Sequence, residues 1–405
     1  MKPCNSVGGG SKSDEEILRM ENGKNSQRLA RVRDVYFNRD KRIKQLKGQG
    51  KKVVGYICAY VPLEIITALD MVPFRILGRP GEAVTDADAH LQTVLCPFVR
   101  SCFDQALKGA YDFIDGLVSC HSCDTVCAAS QFWTYYVKPD FDHFIEIPHR
   151  TGRASITYFK NELDTFTKKL EEFAGMRIDP EKLREAIRVH NVQRALVREL
   201  YDLRRADPPL VSGAETLQIM VALCSLSAVE GNGLLREAID EVKSRTDGPA
   251  KDPLRLMIWG SPLDDTGLIE MIEDCGANVV MDDTCIGTRV YWGDVGAASD
   301  SLAELARHYL VDLRCPRTFR ELGPGYDADL ENRFGYLKDF ARRWKADGVI
   351  LQAMKYCDTH GYEVPALKDY FEGMGLPAFY LEHEYTTLAL APLKTRIEAF
   401  LEMIA

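Results

Sequence analysis

Cysteine thiols are the side chains of this 405-residue chain whose number and placement could carry chemistry. Twelve are present, and Cys96, Cys102, Cys120, Cys123 and Cys127 crowd between positions 96 and 127. Cys285, Cys315 and Cys357 stand apart in the second half. In a reducing compartment such a set is not a disulfide framework. Scattered buried cysteines behave as small hydrophobes, which accounts for some of the set but not for the crowded group. Thiolate clusters select zinc or iron–sulfur centres. Structural zinc sites take ligands in close pairs; Cys120-His121-Ser122-Cys123 supplies one pair, and no second close pair answers it. The same Cys-x-x-Cys would also serve a thioredoxin-like dithiol beside a strand. Ligands dispersed along the chain and gathered across a cleft suit an iron–sulfur cluster better, and a cleft leaves room for an incomplete metal site.

Other chemistries leave little trace. There is no Gly-x-Gly-x-x-Gly and no Gly-x4-Gly-Lys-Ser/Thr, so the chain is not expected to hold a dinucleotide or hydrolyse ATP itself. No Gly-x-Ser-x-Gly elbow occurs. His90, His121, His360 and His383 lie near the cysteine segments, and a structural role is expected for each. Asp264-Asp265 reads as a helix N-terminus, while Asp282-Asp283 is harder to dismiss beside Cys285. Phe98, Phe103, Phe132 and Trp133 are expected to be core rather than the walls of a pocket.

The elements that must position the thiols follow from apolar runs and breakers. Residues 1–14 read as a flexible tail, and Asp14 to about Gln49 as one or two charged surface helices. Lys52–Cys58, Met71–Leu77 and Tyr111–Val118 read as strands, with a helix entered at Pro62 between the first two. Asp179-Pro180 is an N-cap and first-turn pair opening a long helix, and Ala214–Val242 is another helical segment. Strands return at Leu254–Trp259, Asn278–Met281, Gly348–Gln352 and Ala378–Leu381. Alternation of strands and helices implies parallel sheets. The fold expected is α/β: two Rossmann-like parallel-sheet halves over 50–160 and 251–405, a helical segment over 161–250 between them, and a tail and helical segment over 1–49. Ligands of such sheets sit outside the carboxyl ends of strands. Cys120 and Cys123, Cys285, and Cys357 each follow a strand, so they can meet in the cleft between the halves.

Hydrophobic residues at 46% and a formal net charge of −9 describe an acidic globular protein, which argues against a nucleic-acid surface. No apolar run reaches membrane-spanning length and no secretory signal opens the chain, so a cytoplasmic location is expected.

Several segments, taken in order, resemble the 2-hydroxyacyl-CoA dehydratase D-component and benzoyl-CoA reductase subunit family. They are Tyr60-Val-Pro-Leu-Glu64, Met71-Val-Pro-Phe-Arg75, Cys96-Pro97 with Arg100-Ser101, Asp115-Gly116-Leu117-Val118 and Ser122-Cys123-Asp124-Thr125. In the second half stand Gly260-Ser261-Pro262, Asp282 to Arg289, Lys355-Tyr356-Cys357-Asp358 and Thr395 to Phe400. The likeness spans roughly residues 50–402.

The resemblance implies an oxygen-sensitive subunit paired with a homologous second subunit or a second copy of itself. Each subunit would bind a [4Fe–4S] cluster through three cysteines, here Cys96, Cys123 and Cys357. An ATP-hydrolysing activator iron–sulfur protein would inject a low-potential electron. That electron would make a ketyl radical of a 2-hydroxyacyl-CoA, or reduce the ring of benzoyl-CoA. Ala59 stands where dehydratase-type chains commonly carry a hydroxyl, and Ala391-Pro392-Leu393-Lys394 where a Gly-Gln pair is frequent. Both departures weaken a substrate-handling dehydratase role and leave open a reductase subunit or an electron-relaying partner. Cys102, Cys120, Cys127, Cys285 and Cys315 are possible extra ligands. They suit the related double-cubane [8Fe–9S] proteins, which reduce small molecules, although the Lys-Cys-Pro segment associated with that branch is missing. A non-enzymatic alternative is a thiol-rich zinc-binding interaction protein.

Overall fold

In a computed structural model of the chain, residues 29–320, 324–385 and 390–405 are described. The expected tail over 1–14 and the start of the charged helical stretch lie outside the described residues, as does the Ala391 side chain. The stretch continues as two helices, Ala30–Phe37 and Arg39–Gly48.

Among the described residues, eight strands form two four-stranded sheets in which every pairing is parallel. The first holds β1 (Val53–Tyr56), β2 (Val72–Arg75), β3 (Gly116–Cys120) and β4 (Phe141–Ile145) in the order β2-β1-β3-β4. The second holds β5 (Leu254–Gly260), β6 (Ala277–Asp283), β7 (Gly348–Met354) and β8 (Ala378–His383) in the order β6-β5-β7-β8. Both sheets therefore share one winding. Pro73 is tolerated because β2 is an edge strand, where one missing N–H costs no ladder bond.

Alternation along β1 and β3 sends Val53 and Leu117 into one core, and Val54 and Val118 into another. Every residue of β5, β6 and β7 is buried, as expected where helices cover both faces of a parallel sheet.

Three expectations need correction. The third strand begins at Gly116 rather than Tyr111, so Cys120 closes the strand instead of following it. The chain before it, from Tyr111 to Ile114, turns back to pack Tyr111 and Phe113 against Phe74. The segment Ala214–Val242 is two helices, Gly213–Leu223 and Ala228–Ser244. Ser227 starts the second by accepting the Glu230 N–H at 3.3 Å, so a local cap outweighs continuous apolar spacing. Asp282 and Asp283 end β6 rather than sit in a loop.

The long helix opening at Asp179-Pro180 runs to Asp202, and the Asp179 carboxylate accepts the Glu181 N–H at 2.8 Å. Its Arg194 reaches the buried Glu64 of the helix Leu63–Ala68 at 2.6 Å, and Tyr309 donates to the same carboxylate at 2.8 Å. The halves also meet directly. Arg317 donates to the carbonyls of Ile147 and Pro148 at 2.6 Å each, and the Phe319 N–H to His149 O at 2.6 Å. Among the described residues no helix is long and apolar enough to cross a membrane.

Candidate metal centre

Each of the three strongest cysteine candidates stands at the N-cap of a helix. Cys96 precedes Pro97–Leu107, Cys123 precedes Asp124–Tyr136, and Cys357 precedes the single turn Asp358–Gly361. Pro97 occupies a first-turn position that needs no N–H, and Asp124 and Asp358 place acids in the other two first turns. The thiols stand at the cap positions without closing the capping hydrogen bond that Ser or Asp would make. Backbone N–H groups of Phe98 and Val99 face Cys96, that of Val126 faces Cys123, and that of His360 faces Cys357.

The three sulfurs feel one another. A charge on Cys96 raises the thiols of Cys123 and Cys357, and a charge on Cys123 also raises Cys357. Burial is the larger influence: it pushes Cys123 up to about 12, and Cys96 and Cys357 upward as well, against the pull of the amides. Metal binding at these thiols must therefore expel protons. Cys96 and Cys123 of the first half thus lie within electrostatic reach of Cys357 of the second.

The possible extra ligands divide. Cys127 lies near Cys123, Cys102 near Cys96, and Cys285 near Cys357. Cys120 and Cys315 instead neighbour Cys58, which sequence reasoning passed over. Cys120 hydrogen-bonds to Cys58 and, with the charge of Arg75 helping against burial, brings its thiol down to about 6. The missed signal is positional: Cys58 lies just past the carboxyl end of β1, next to β3 with its terminal Cys120. Ala59 lines a small cavity with Arg75, Cys285 and Tyr291.

A buried network supports Cys357. Arg289 pairs with Asp283 at 3.1 Å and donates to Cys285 Sγ at 3.3 Å and Gly260 O at 3.2 Å. It also meets His360 Nε2 at 2.9 Å, while His360 Nδ1 lies 3.3 Å from Cys357 Sγ. Arginine offers only donors, so Nε2 must accept. The ring proton then sits on Nδ1 and points at the Cys357 sulfur. Burial and the charge of Arg289 keep the histidine neutral.

The remaining motif residues hold the strand ends. Ser261 Oγ accepts the Met354 N–H at 2.9 Å and donates to Gln352 Oε1 at 3.1 Å, tying the end of β5 to β7 just before Cys357. Asp282 accepts from Arg204 and Tyr201 at 2.9 Å, and Asp265 caps Gly267 at 2.9 Å. Phe98, Phe103 and Trp133 are core residues.

Among the described residues no three His, Cys, Asp or Glu side chains close around a single ion. A mononuclear zinc site would gather its sulfurs on one metal, whereas a cubane gives each thiolate an iron of its own. Separate soft donors facing backbone amides, Cys96 buried and Cys123 and Cys357 half-buried, fit the second kind of group.

Comparison with known proteins gives one family. The profile of the 2-hydroxyglutaryl-CoA dehydratase D-component matches residues 58–404. The chain is similar to a benzoyl-CoA reductase subunit of Thauera aromatica, with 28% identity over 87% of this chain and 91% of that one. It is 24% identical to the (R)-phenyllactyl-CoA dehydratase beta subunit of Clostridium sporogenes, over 92% and 97% of the two chains. The beta subunit of (R)-2-hydroxyglutaryl-CoA dehydratase of Acidaminococcus fermentans is also 24% identical, over 88% and 94%.

Proposed function

Because the chain belongs to the 2-hydroxyglutaryl-CoA dehydratase D-component family, whose members are catalytic subunits of acyl-CoA dehydratases and benzoyl-CoA reductases, we propose that it is the iron–sulfur subunit of such a complex. The observation supporting this most is that Cys96, Cys123 and Cys357, each at a helix N-terminus, lie within electrostatic reach of one another. These three thiolates would hold a [4Fe–4S] cluster in the cleft between the halves. A cluster supplies single electrons at low potential for a reduction that no side chain can drive.

The protein's own part is electrostatic and steric. Helix N-termini and amides offset the charge of the thiolates. The Nδ1–H of His360 is directed at the Cys357 sulfur. Burial keeps bulk water from Cys96, and Cys123 and Cys357 are half-buried. The relatives are named as subunits, so a homologous second subunit is the expected partner, with an ATP-hydrolysing activator as electron source and an acyl-CoA thioester as substrate.

The second thiol group around Cys58, Cys120, Cys285 and Cys315 favours one other reading, a double-cubane reductase. Anaerobic purification with iron and sulfide analysis separates the readings. A single cubane gives about four irons per chain, a double cubane about eight, and a zinc protein none. Substituting Cys96, Cys123 and Cys357 by serine should abolish iron binding, whereas Cys224→Ala should not. Retained iron in the triple variant would refute the ligand set.

A further inference from the structure

A cavity of about 100 Å³ lies apart from Cys96, Cys123 and Cys357, with Cys315 in its wall and Trp259, from the carboxyl end of β5, at its back. Four arginines line it, Arg314, Arg317, Arg320 and Arg333, against the single carboxylate of Glu363. Glu363 and Asp329 are taken up by Arg333. Among the described residues no carboxylate pairs with the other three. Arg317 is 8% exposed; both its terminal nitrogens donate to backbone carbonyls, and its Nε is buried without a partner. Among the described residues Arg320 donates to the Leu313 carbonyl, at 3.3 Å. Arg314 lies over the Tyr336 ring, 5.2 Å from its centroid.

A guanidinium held out of bulk water without counter-charge, as Arg317 is, is costly, and the cost falls when an anion joins it and the half-buried Arg320 and exposed Arg314 beside it. Arginine forks match phosphate oxygens in pairs. The cavity holds about three waters' share of liquid volume, enough for a phosphate group and too little for a whole nucleotide. At its rim the Phe319 ring is 43% exposed and offers an aromatic face, on which a purine can stack. The excess of arginine over carboxylate favours a multiply charged phosphate over a single carboxylate.

We infer that this cavity seats a phosphate group of the coenzyme A moiety of an acyl-CoA, with the rest of its nucleotide lying outward over Phe319. The inference rests on the acyl-CoA reading above, and it makes this chain a substrate-binding subunit rather than one that only relays electrons.

Calorimetric titration of the purified complex with coenzyme A, an acyl-pantetheine thioester lacking phosphates, and ADP tests it. Variants R314Q and R320Q change side chains outside the fully buried set, and their melting temperatures verify folding. Each should weaken coenzyme A binding about tenfold, ~1.4 kcal/mol, with pantetheine thioester binding unmoved. Unchanged coenzyme A affinity in both variants would overturn the cavity assignment and leave the acyl-CoA reading standing. Tighter binding of ADP than of coenzyme A would also overturn it, by giving the cavity to a nucleotide. A wild-type complex that binds no coenzyme A thioester would overturn both.

Discussion

His360 sits between a donor-only arginine and a sulfur, and that position decides its tautomer. With Arg289 on Nε2 at 2.9 Å, the remaining ring proton faces Cys357 Sγ at 3.3 Å. A hydrogen bond to a cluster thiolate stabilises the reduced, more negative form. Replacing His360 by Ala should therefore move the reduction midpoint more negative while iron content is kept. A tenfold bias of the equilibrium would read as ~59 mV in an EPR-monitored titration for one electron. An unmoved midpoint would show that His360 does not tune the cluster. Cys58→Ser separates the two cluster readings at the same scale: iron stays at about four per chain with one cubane and falls from about eight with two. The three proposed ligands rest on the family resemblance of the motifs that hold them, not on spacing alone. Their place at helix N-caps was not legible, since cysteine is absent from the usual N-cap preferences. Cys58 was hidden for a related reason: its neighbours Cys120 and Cys315 come from distant segments, and only the parallel pairing of β1 with β3 brings Cys120 to it.

Helices and strand ends are held by buried charges whose loss should be measurable. Burial alone would raise the Glu64 carboxyl, but the charge and hydrogen bond of Arg194 outweigh it and bring it to about 2. Because that value lies below the unfolded ~4.3, the pair's stabilisation is full at neutral pH and is lost as pH falls from ~4.3 towards 2. His190, beside the same pair and held down to about 4 by burial, acts in the same direction between ~6.5 and 4. Burial raises Asp264 and Glu273 to about 6 and about 7, and they oppose this trend. Comparison with Glu64→Gln isolates the pair: it should cost about 3–5 kcal/mol at pH 7 by stranding a buried Arg194. The gap should narrow as pH falls, read by denaturant melts at several pH values. A pH-independent gap would contradict the ion pair. Gly287 makes a second case. A Cβ there would lie 2.0 Å from Asp282 Oδ2, so Gly287→Ala must push that carboxylate off Tyr201 and Arg204. A loss of about 1–3 kcal/mol is expected from the overpacking, read by thermal melts; full stability would show that the turn gives way freely.

At this scale the central strands were readable from apolar, β-branched runs, and β5, β6 and β7 lie where expected. The edge strand β4 was missed because Phe141–Ile145 alternates with Asp142 and His143 and is only half-buried. The long helix Arg153–Ala174 straddles the expected boundary between 160 and 161, and Phe159, Leu163, Phe166 and Leu170 form its buried stripe. Its apolar residues are spaced widely enough among charges to read as surface.

Across the whole molecule, two sheets of identical winding present their carboxyl ends to shared loops, although no repeat is visible in the sequence. Parallel sheets can keep a topology while side chains diverge, since burial demands only apolar character of about the right size. The contacts that bring the halves together, Arg317 to Ile147 and Pro148, and Glu64 to Arg194 and Tyr309, are polar and far apart in sequence. No local pattern announces them, so the cleft could be expected but not drawn. What the cleft is for turns on the three N-cap cysteines. Anaerobic iron and sulfide analysis of the purified wild-type chain beside its Cys96, Cys123 and Cys357 serine variants tests that most directly. About four irons and four sulfides per wild-type chain are expected, with their loss in every variant; a functional complex free of iron, or variants that keep their full iron, would contradict a cluster held by these thiols.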